Sequence, residues 1–370
     1  MTLVAIGNPR GRKSAGPGET PLNPPLARGE AGRSVLPARR DCIPSAARFV
    51  RGAQASSETA KAFSKIVGSS AMDTSQPVNA LTIDVEDWIQ SVYDVTAALT
   101  DRFVRNTQAV LELLAAHDVR ATFFVLGLAA EKSPGLVREI CGAGHEVQSH
   151  GYGHRLIHTQ TVAEFREDVV RSKRLLEDIT GNAVTGYRAP AFSITQRTLW
   201  ALDVLVETGF RYDSSIFPVR MRRYGIGGTP RSPCRAITPR GCELTEVPVC
   251  CLQIGGTRFP AGGGGYLRMW PYAVTRAAVR QLNGAGEPAV LYIHPYEFAA
   301  EELQELGIRI PWRMRVHQGL GRRGVSKKVA RLLGEFRFGT VGDVLAEQAI
   351  AATYSYQRSF TNLPHPALSP

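Results

Sequence analysis

Short apolar segments alternate with longer amphipathic segments from Asn79 to His294, and this alternation restricts the possible folds more than any other feature. The apolar segments are NALTID, RATFFVLG, HEVQSH, AVTGYRAP and PAVLYIHP. Between them lie TQAVLELLAAHDV, SPGLVREICGAG, VAEFREDVVRSKRLLEDITG and TQRTLWALDVLVETGF, which show helical spacing or helix-boundary residues. Strands that alternate with helices of about ten to twenty residues predict parallel βα units, and therefore an α/β fold.

Ionisable side chains follow most of these apolar segments at the point where the strand should end. The carboxyl ends of parallel strands meet at one edge of a sheet, where the sites of α/β proteins assemble. We therefore expect the side chains that follow the strands to lie close together. They are Asp84, Glu86, Asp87, His150, Arg188 and His294.

The positive charge of the chain is concentrated near its amino-terminal end. The 370 residues have a formal net charge of +11, and residues 1–71 contain 11 basic and four acidic residues. This stretch is rich in Pro, Gly, Arg and Ala and lacks the interleaved aromatic residues that would indicate stacking on nucleic-acid bases. We expect a disordered leader over residues 1–71, a functional chain that begins near Met72, and no nucleic-acid partner.

The sequence also predicts the cellular compartment of the protein. No apolar run reaches the roughly eighteen residues typical of a membrane span, and MTLVAI is too short for the apolar core of a secretory signal. The six cysteines form no C-x-x-C pair, which is typical of free thiols in a reducing compartment. These features predict a cytoplasmic protein without a membrane span.

Two histidines in SHGYGH, His150 and His154, are candidate metal ligands. Neutral imidazoles bind borderline divalent metals, and a carboxylate completes a facial set with positions left open for water and substrate. The acidic groups of TIDVEDW lie upstream, and their mutual repulsion requires a cation, an Arg or a raised pKa. A surface pair of histidines and a solvated acidic loop would also fit these patterns. His158, in the same stretch, is interpreted as a structural residue or as one that supports the metal ligands without binding the metal.

Two further segments carry residues suited to acid–base chemistry. Arg188 precedes Ala-Pro on a segment expected to be extended, where a guanidinium can orient a carboxylate through two hydrogen bonds. His294 ends an apolar strand, and the ordinary pKa of histidine near neutrality makes it a candidate acid or base. Asp213, in YDSSIFP, is a candidate partner that would hold His294 protonated.

The order of these motifs resembles that of the polysaccharide deacetylases, carbohydrate esterase family four. The resemblance covers roughly residues 79–298 and rests on the acidic strand end, H-x-x-x-H, R-x-P, an Asp and a strand-terminal His-Pro. DVEDW, SHGYGH, GYRAPAFSI and RFPAGGGGYLRMWP resemble the subgroup found with exosortase-linked exopolysaccharide loci. GLGRRGVSKKVARLLGEFRFGTVGDVL is similar to the additional C-terminal region of that subgroup.

The resemblance implies a distorted, incomplete (β/α) barrel that binds one divalent metal, usually zinc. His150 and His154 match the two metal histidines of the family. Asp84 matches the catalytic base, and Arg188 matches the residue that positions this base. The implied organisation is a catalytic domain over residues 72–300, a family-specific extension over 301–350 and a tail over 351–370.

The resemblance also assigns roles to residues further along the chain. His294 matches the general acid, and Asp213 matches the carboxylate that tunes it. Tyr266 and Trp270, in and beside the glycine-rich segment, are candidates for a sugar-stacking surface. Pro190, within R-x-P, is a third candidate for substrate binding.

The acidic motif departs from the common pattern of the family. Two adjacent aspartates are usual, the second of which binds the metal, and Val85 stands in the place of the second. A related branch with D-x-D spacing would make Glu86 the ligand. Asp87 is the alternative if the strand ends early.

The implied function is a metal-dependent hydrolase that removes N-acetyl groups from an amino-sugar polysaccharide or its lipid-linked precursor in exopolysaccharide biosynthesis. Two other functions are compatible with the sequence. One is a related metal-dependent amidohydrolase that acts on a small amide, which the altered acidic motif permits. The other is a non-catalytic glycan-binding protein that retains the motif residues.

Overall fold

The central sheet contains a strand that is buried on both faces. The structure is a computed structural model that describes residues 76–357. All seven residues of β1 (Asn79–Val85) are buried. A strand of this kind requires a covering layer on each side, as in parallel sheets packed between helices. Its hydrogen-bonded neighbours, β2 (Thr122–Val125) and β10 (Val290–Ile293), both run parallel to it.

Within residues 76–357 the main sheet has ten strands. Their order is β10-β1-β2-β3-β4-β5-β7-β6-β12, with β11 paired to β1, and among these described strands only the β6–β7 pair is antiparallel. A separate antiparallel pair is formed by β8 and β9. The remaining strands are β3 (Glu146–Ser149), β4 (Gly186–Tyr187), β5 (Tyr212–Asp213), β6 (Cys234–Ile237), β7 (Glu243–Glu246), β8 (Cys251–Ile254), β9 (Thr257–Pro260), β11 (Phe338–Gly339) and β12 (Thr353–Ser355).

Most helices connect successive strands. The longest, α4, begins at a capping box in which Thr161 and Glu164 bond to each other's backbone N–H, and it ends at Gly181 with φ +68°. The helices are α1 (Arg102–Ala116), α2 (Gly127–Lys132), α3 (Pro134–Gly142), α4 (Val162–Thr180), α5 (Trp200–Glu207), α6 (Gly264–Met269), α7 (Tyr272–Asn283), α8 (Glu302–Glu305), α9 (Trp312–Gly319), α10 (Val325–Glu335) and α11 (Val341–Glu347).

The predicted fold class is confirmed: the chain forms a mixed α/β fold around a largely parallel, barrel-like sheet. Over the described residues the sheet is not closed, since its path ends at β10 and β12. Most of the buried apolar side chains belong to one large core cluster between the sheet and the helices. The expected leader, residues 1–71, lies outside the described part of the chain. No helix within residues 76–357 is both long and apolar enough to cross a membrane.

Residues 301–350 are built into the same unit. Strand β11 pairs with β1, and α11 packs against β1 as well. The buried Arg322 bonds to Glu302 at 2.9 Å and to the carbonyl oxygen of Tyr296 at 2.7 Å. The extension therefore adds a short strand beside β1 and contacts the segment that follows His294.

The strand register determines which side chains meet at the carboxyl edge. Ile83 of β1 pairs with Ile293 of β10, so Asp84 and His294 follow at the same level. Ser149 of β3 pairs with Tyr187 of β4, so His150 and Arg188 follow together. The sheet thereby gathers residues more than 200 positions apart in the chain at one edge.

Candidate active site

Asp84 is held by the buried guanidinium of Arg188. One terminal nitrogen of Arg188, Nη1, donates to Asp84 Oδ1 at 2.8 Å and to Thr82 Oγ1 at 2.6 Å. Its Nε and Nη2 donate to the carbonyl oxygen and the hydroxyl of Ser214 at 3.1 and 2.8 Å. Because the guanidinium is fixed on several sides, it holds the Asp84 carboxylate in one orientation.

Glu86, His150 and His154 form a cluster whose ligand atoms all lie within 4.8 Å of one another. Glu86 Oε2 is 2.8 Å from His154 Nε2 and 3.5 Å from His150 Nε2. This oxygen is buried, and no hydrogen bond of acceptable geometry reaches it within the described part of the chain. Burial raises the pKa of Glu86, but the nearby imidazoles of His154 and His150 hold that pKa well below its ordinary value.

The donor set of this cluster suits a divalent metal such as zinc. Two imidazole nitrogens and one carboxylate oxygen are the ligands of many catalytic zinc sites, with further positions left for water and substrate. His150 Nδ1 lies 2.9 Å from the carbonyl oxygen of Arg188, which leaves Nε2 directed to the cluster. An unpartnered buried carboxylate oxygen that faces two ring nitrogens also fits a bound cation.

The SHGYGH segment is shaped by backbone geometry as well as by its histidines. His154 has φ +56°, which is uncommon for a residue with a side chain, and Gly151 has φ +76°. A Cβ atom at Gly151 would lie 2.9 Å from Asp168 Oδ2. Asp168 accepts hydrogen bonds from the backbone N–H groups of Tyr152 and Gly153 at 2.7 and 3.2 Å. The sequence analysis missed Asp168. The signal that could have identified it was the position of an acidic residue on the inner side of α4.

Asp87 lies outside this cluster. Its Oδ1 accepts from the backbone N–H of Ile89 at 2.9 Å, and its Oδ2 accepts from the backbone N–H of Thr100 at 3.0 Å and from its hydroxyl at 2.5 Å. Both oxygens are engaged in fixing the chain after β1. Of the two carboxylates that the sequence left open, the structure groups Glu86 with the histidines.

His294 lies beside Asp84 and Glu86. Its Nε2 is 3.9 Å from Asp84 Oδ2 and 3.6 Å from Glu86 Oε1, and its Nδ1 is 3.3 Å from Glu297 Oε2. The ring of Tyr296 stacks on the imidazole at a centroid distance of 4.9 Å. Burial lowers the pKa of His294, but the carboxylates of Glu297, Glu86 and Asp84 outweigh it and raise the pKa to about 9.

The predicted pairing of Asp213 with His294 is wrong. Asp213 accepts from the Ser215 hydroxyl at 2.5 Å and its backbone N–H at 3.2 Å, and it lies beside Glu246. Asp213 lies on β5, which is five places from β10 in the sheet order. The carboxylate beside the imidazole of His294 is instead that of Glu297, only three residues further along the chain. The sequence analysis did not single out Glu297, although it stands in the quoted segment LYIHPYEF.

The predicted substrate-binding residues separate into two groups. Tyr266 lines a cleft of about 1060 Å³ that also contains Asp84 and His294. Pro190 and Trp270 do not line this cleft, although Trp270 is 41% exposed elsewhere on the surface. Pro190 is buried at the start of a 3₁₀ turn, Pro190–Phe192. His158, interpreted as structural from the sequence, is exposed at the cleft.

Comparison with known families agrees with this architecture. Residues 72–212 match the sequence model of the polysaccharide deacetylases, and residues 214–346 match a domain of unknown function, DUF3473. The match to the polysaccharide deacetylase model covers less than half of the chain. Two segments with separate family matches thus form one deacetylase-type fold, and the edge of its sheet combines Asp84 from the first with His294 from the second.

Curated relatives include several deacetylases. A Bacillus cereus peptidoglycan-N-acetylglucosamine deacetylase is 34% identical over 98 residues, 26% of this chain and 36% of the relative. A Helicobacter pylori peptidoglycan deacetylase is 34% identical over 107 residues, 29% of this chain and 36% of the relative. A Bradyrhizobium chitooligosaccharide deacetylase is 31% identical over 142 residues, 37% of this chain and 63% of the relative.

These matches are partial in length. The chain spans about a third of the first two relatives, and a longer share of the third. Among solved structures, a Mycobacterium smegmatis protein assigned to the polysaccharide deacetylases aligns with a TM-score of 0.50 at 21% identity. That alignment covers 72% of this chain and 87% of the other, and it supports the shared fold.

Proposed function

We propose that this protein is a metal-dependent hydrolase that removes N-acetyl groups from an amino-sugar polysaccharide or its precursor. The observation that carries the proposal is the meeting of three elements in one cleft. These are the Glu86, His150 and His154 cluster, an Arg-held carboxylate at Asp84, and the imidazole of His294. The relatives named as deacetylases of peptidoglycan and chitooligosaccharides support the same substrate chemistry.

In this proposal the cluster binds a divalent ion such as zinc. When bound, such an ion polarises the acetamide carbonyl and lowers the pKa of water. Asp84, held by Arg188, accepts the proton of the attacking water as the new carbon–oxygen bond forms. His294 donates a proton from Nε2 to the sugar nitrogen as the carbon–nitrogen bond breaks, since an amine leaves poorly unless it is protonated. The products are acetate and a free amino sugar.

The neighbours of His294 suit the role of a proton donor. Glu297 lies against Nδ1, on the opposite side of the ring from Nε2, and the Tyr296 ring fixes the plane of the imidazole. Glu297 Oε1 is itself 3.5 Å from Arg268 Nε. Glu297 is therefore positioned to stabilise the protonated imidazole and to direct its Nε2 into the cleft.

We further propose a role in exopolysaccharide biosynthesis, with a polymer or lipid-linked precursor as the partner. The support for this role is the motif resemblance of DVEDW, SHGYGH and the C-terminal segment to the exosortase-linked subgroup. The cytoplasmic location stays a prediction. Deletion of the gene, followed by analysis of the acetyl content of the polymer, tests the role. Unchanged acetylation would contradict it.

The chemical proposal is tested by combining metal analysis with acetate release from N-acetylglucosamine oligomers. We expect about one bound zinc per chain for the wild type and for Asp84→Asn, and acetate release from the wild type alone. His154→Ala should lose both the metal and the activity. No bound metal in the wild type, together with no acetate release after addition of zinc or cobalt, would overturn the proposal.

A further inference from the structure

Among the described residues, the charged side chains exposed at the rim of the active-site cleft are all basic. The acidic residues that line it are Asp84, Glu86 and Glu297, and all three are buried. Each already faces a cationic or imidazole group: Arg188, the two cluster histidines, and Arg268 with His294, respectively. The exposed lining residues that carry or can carry a positive charge are Arg197, Arg222, Arg223, His158 and His317.

None of the three arginines has a carboxylate partner among the residues that the structure describes. Within residues 76–357, no ion pair or side-chain hydrogen bond involves Arg197, Arg222 or Arg223. Several other exposed arginines in this part of the chain face an acidic residue, such as Arg155 with Glu164 at 3.1 Å. Unpaired guanidiniums that share one concave surface produce a positive potential there, because the low-dielectric walls of a cleft focus the field.

The loop that carries Arg222 and Arg223 is anchored at both ends. The two ends of the loop are joined by a hydrogen bond, in which the backbone N–H of Ile226 donates to the carbonyl oxygen of Phe217 at 3.0 Å. Gly225 has φ +88°, and a Cβ atom there would lie 2.3 Å from the carbonyl oxygen of Val219. A side chain is therefore strongly disfavoured at this turn, and the loop conformation depends on the glycine.

Tyr224 connects this loop to the cleft. Its ring packs against Phe217 and Phe192 at centroid distances of 5.7 and 6.4 Å. Its hydroxyl bonds to the hydroxyl of Tyr266, which also lines the cleft. The two arginines that precede Tyr224 are thus held beside a tyrosine pair suited to contact with a sugar ring. A charged surface and a sugar-binding surface meet at this place.

We propose that the substrate is an acidic glycan, in which the N-acetylated sugar that enters the site is linked to residues bearing carboxylate or phosphate groups. This inference rests on the proposed deacetylase function. Arg197, Arg222 and Arg223 pair with the anionic groups of neighbouring units while the acetamide reaches Asp84 and His294. A neutral homopolymer would leave the three guanidiniums without partners.

Acidic and neutral substrates of equal length test the proposal. The probes are an N-acetylglucosamine tetramer, an alternating N-acetylglucosamine–glucuronic acid tetramer, and an N-acetylglucosamine oligomer with a reducing-end diphosphate. The measured quantity is the ratio of kcat/KM for each acidic probe to that for the neutral probe. We expect a ratio above about ten at low ionic strength, which falls as salt is added. The acidic probe with the higher ratio distinguishes carboxylate from phosphate.

Two double variants that remove the same charge separate the effect of the cleft arginines from that of arginines elsewhere on the surface. Arg222→Gln/Arg223→Gln should reduce the ratio by about tenfold, since exposed ion pairs are individually weak and two are lost. Arg138→Gln/Arg174→Gln removes the same charge from two exposed arginines on α3 and α4, outside the cleft, and should leave the ratio unchanged. Equal ratios for all three proteins would overturn the inference, while acetate release from the neutral tetramer would uphold the deacetylase function.

Binding measurements distinguish a failure of the proposed substrate class from a failure of the proposed deacetylase function. Calorimetric titration of Asp84→Asn with the same probes gives Kd without turnover. If no probe releases acetate but the acidic tetramer binds more tightly, and this preference is lost in the cleft double variant, the substrate class stands and the deacetylase function fails. If neither acetate release nor preferential binding is found, both are overturned. Tighter binding of single-stranded DNA than of either acidic glycan would also overturn the substrate class.

Discussion

Replacement of Glu246 by Gln should change how the stability of this protein depends on pH. Glu246, on β7, is buried beside Asp213, and its Oε2 has no hydrogen-bond partner within the described residues. Burial and the charge of Asp213 hold the pKa of Glu246 well above its ordinary value of 4.5. The folded protein therefore retains a proton on Glu246 that the unfolded chain releases above about pH 4.5.

The sign and size of the effect follow from this difference in bound protons. Since the folded state holds up to one proton more than the unfolded state, the free energy of unfolding falls as pH rises, by about 1.4 kcal/mol per pH unit. The window opens near pH 4.5 and extends to the folded pKa of Glu246. Burial raises the pKa of Asp213 to about 6. In both proteins, Asp213 therefore adds its own fall in the free energy of unfolding as pH rises towards 6.

The assay is urea unfolding of the wild type and Glu246→Gln at half-unit steps from pH 5 to pH 8. The amide resembles the protonated carboxyl in shape, so we expect similar stabilities near pH 5 and a relative gain for the variant of about 1.4 kcal/mol per unit above it. Glu243→Gln, at an exposed position on the same strand, should follow the wild-type curve. Parallel curves for the wild type and Glu246→Gln would refute the reasoning.

Three further predictions concern the cluster, the glycine-rich segment and the extension. Glu86→Gln should abolish zinc binding measured by mass spectrometry, whereas Asp87→Asn should retain zinc and lose about 1–2 kcal/mol of stability, because it weakens hydrogen bonds to the backbone. Gly263→Ala should cost at least about 3 kcal/mol in urea unfolding, since φ is +155° and the new Cβ would lie 1.8 Å from a carbonyl oxygen of β10. Glu302→Gln should cost about 3–5 kcal/mol, because Arg322 would keep a buried charge without its carboxylate.

Matched controls make each of these outcomes decisive. Zinc retained by Glu86→Gln and lost by Asp87→Asn would reverse the choice between the two carboxylates. Gly256→Ala, where the added Cβ meets nothing within 4 Å, should be nearly neutral. Glu301→Gln breaks only an exposed pair with Arg323 and should leave stability almost unchanged. A loss for either control equal to that of its buried counterpart would contradict the explanation.

The sequence predicted the parts of the site that depend on local pattern. Apolar runs followed by Asp84, His150, Arg188 and His294 identified the carboxyl edge, because parallel strands place their ends together whatever the exact topology. That inference needed only periodicity and strand direction, and both are encoded over a few residues. Glu86 became a candidate ligand through the resemblance to a branch with D-x-D spacing, and the sequence left Asp87 open beside it.

The parts that were missed depend on contacts between distant segments. Strands β5, β6 and β7 lie between residues 212 and 246, in a region without clear alternation, and β5 has only two residues. Their pairing is determined by the sheet around them, so local pattern could not reveal Glu246 or the true neighbours of Asp213. The choice of Glu297 over Asp213 beside His294 required the order of strands, which the sequence does not state directly.

The family boundary between residues 212 and 214 falls inside a continuous sheet, and this has a consequence for protein engineering. Strand β1, from the first segment, is hydrogen-bonded along one side by β10, from the second, and its first two residues also pair with β11 of the second. Expression of the first segment alone would leave the backbone N–H and C=O groups along that side of β1 unpaired, an edge prone to aggregation. Fragment complementation or domain swapping at this boundary should therefore succeed only when both segments come from the same parent or closely matched ones. A functional cleft requires both segments, because neither of them holds both Asp84 and His294.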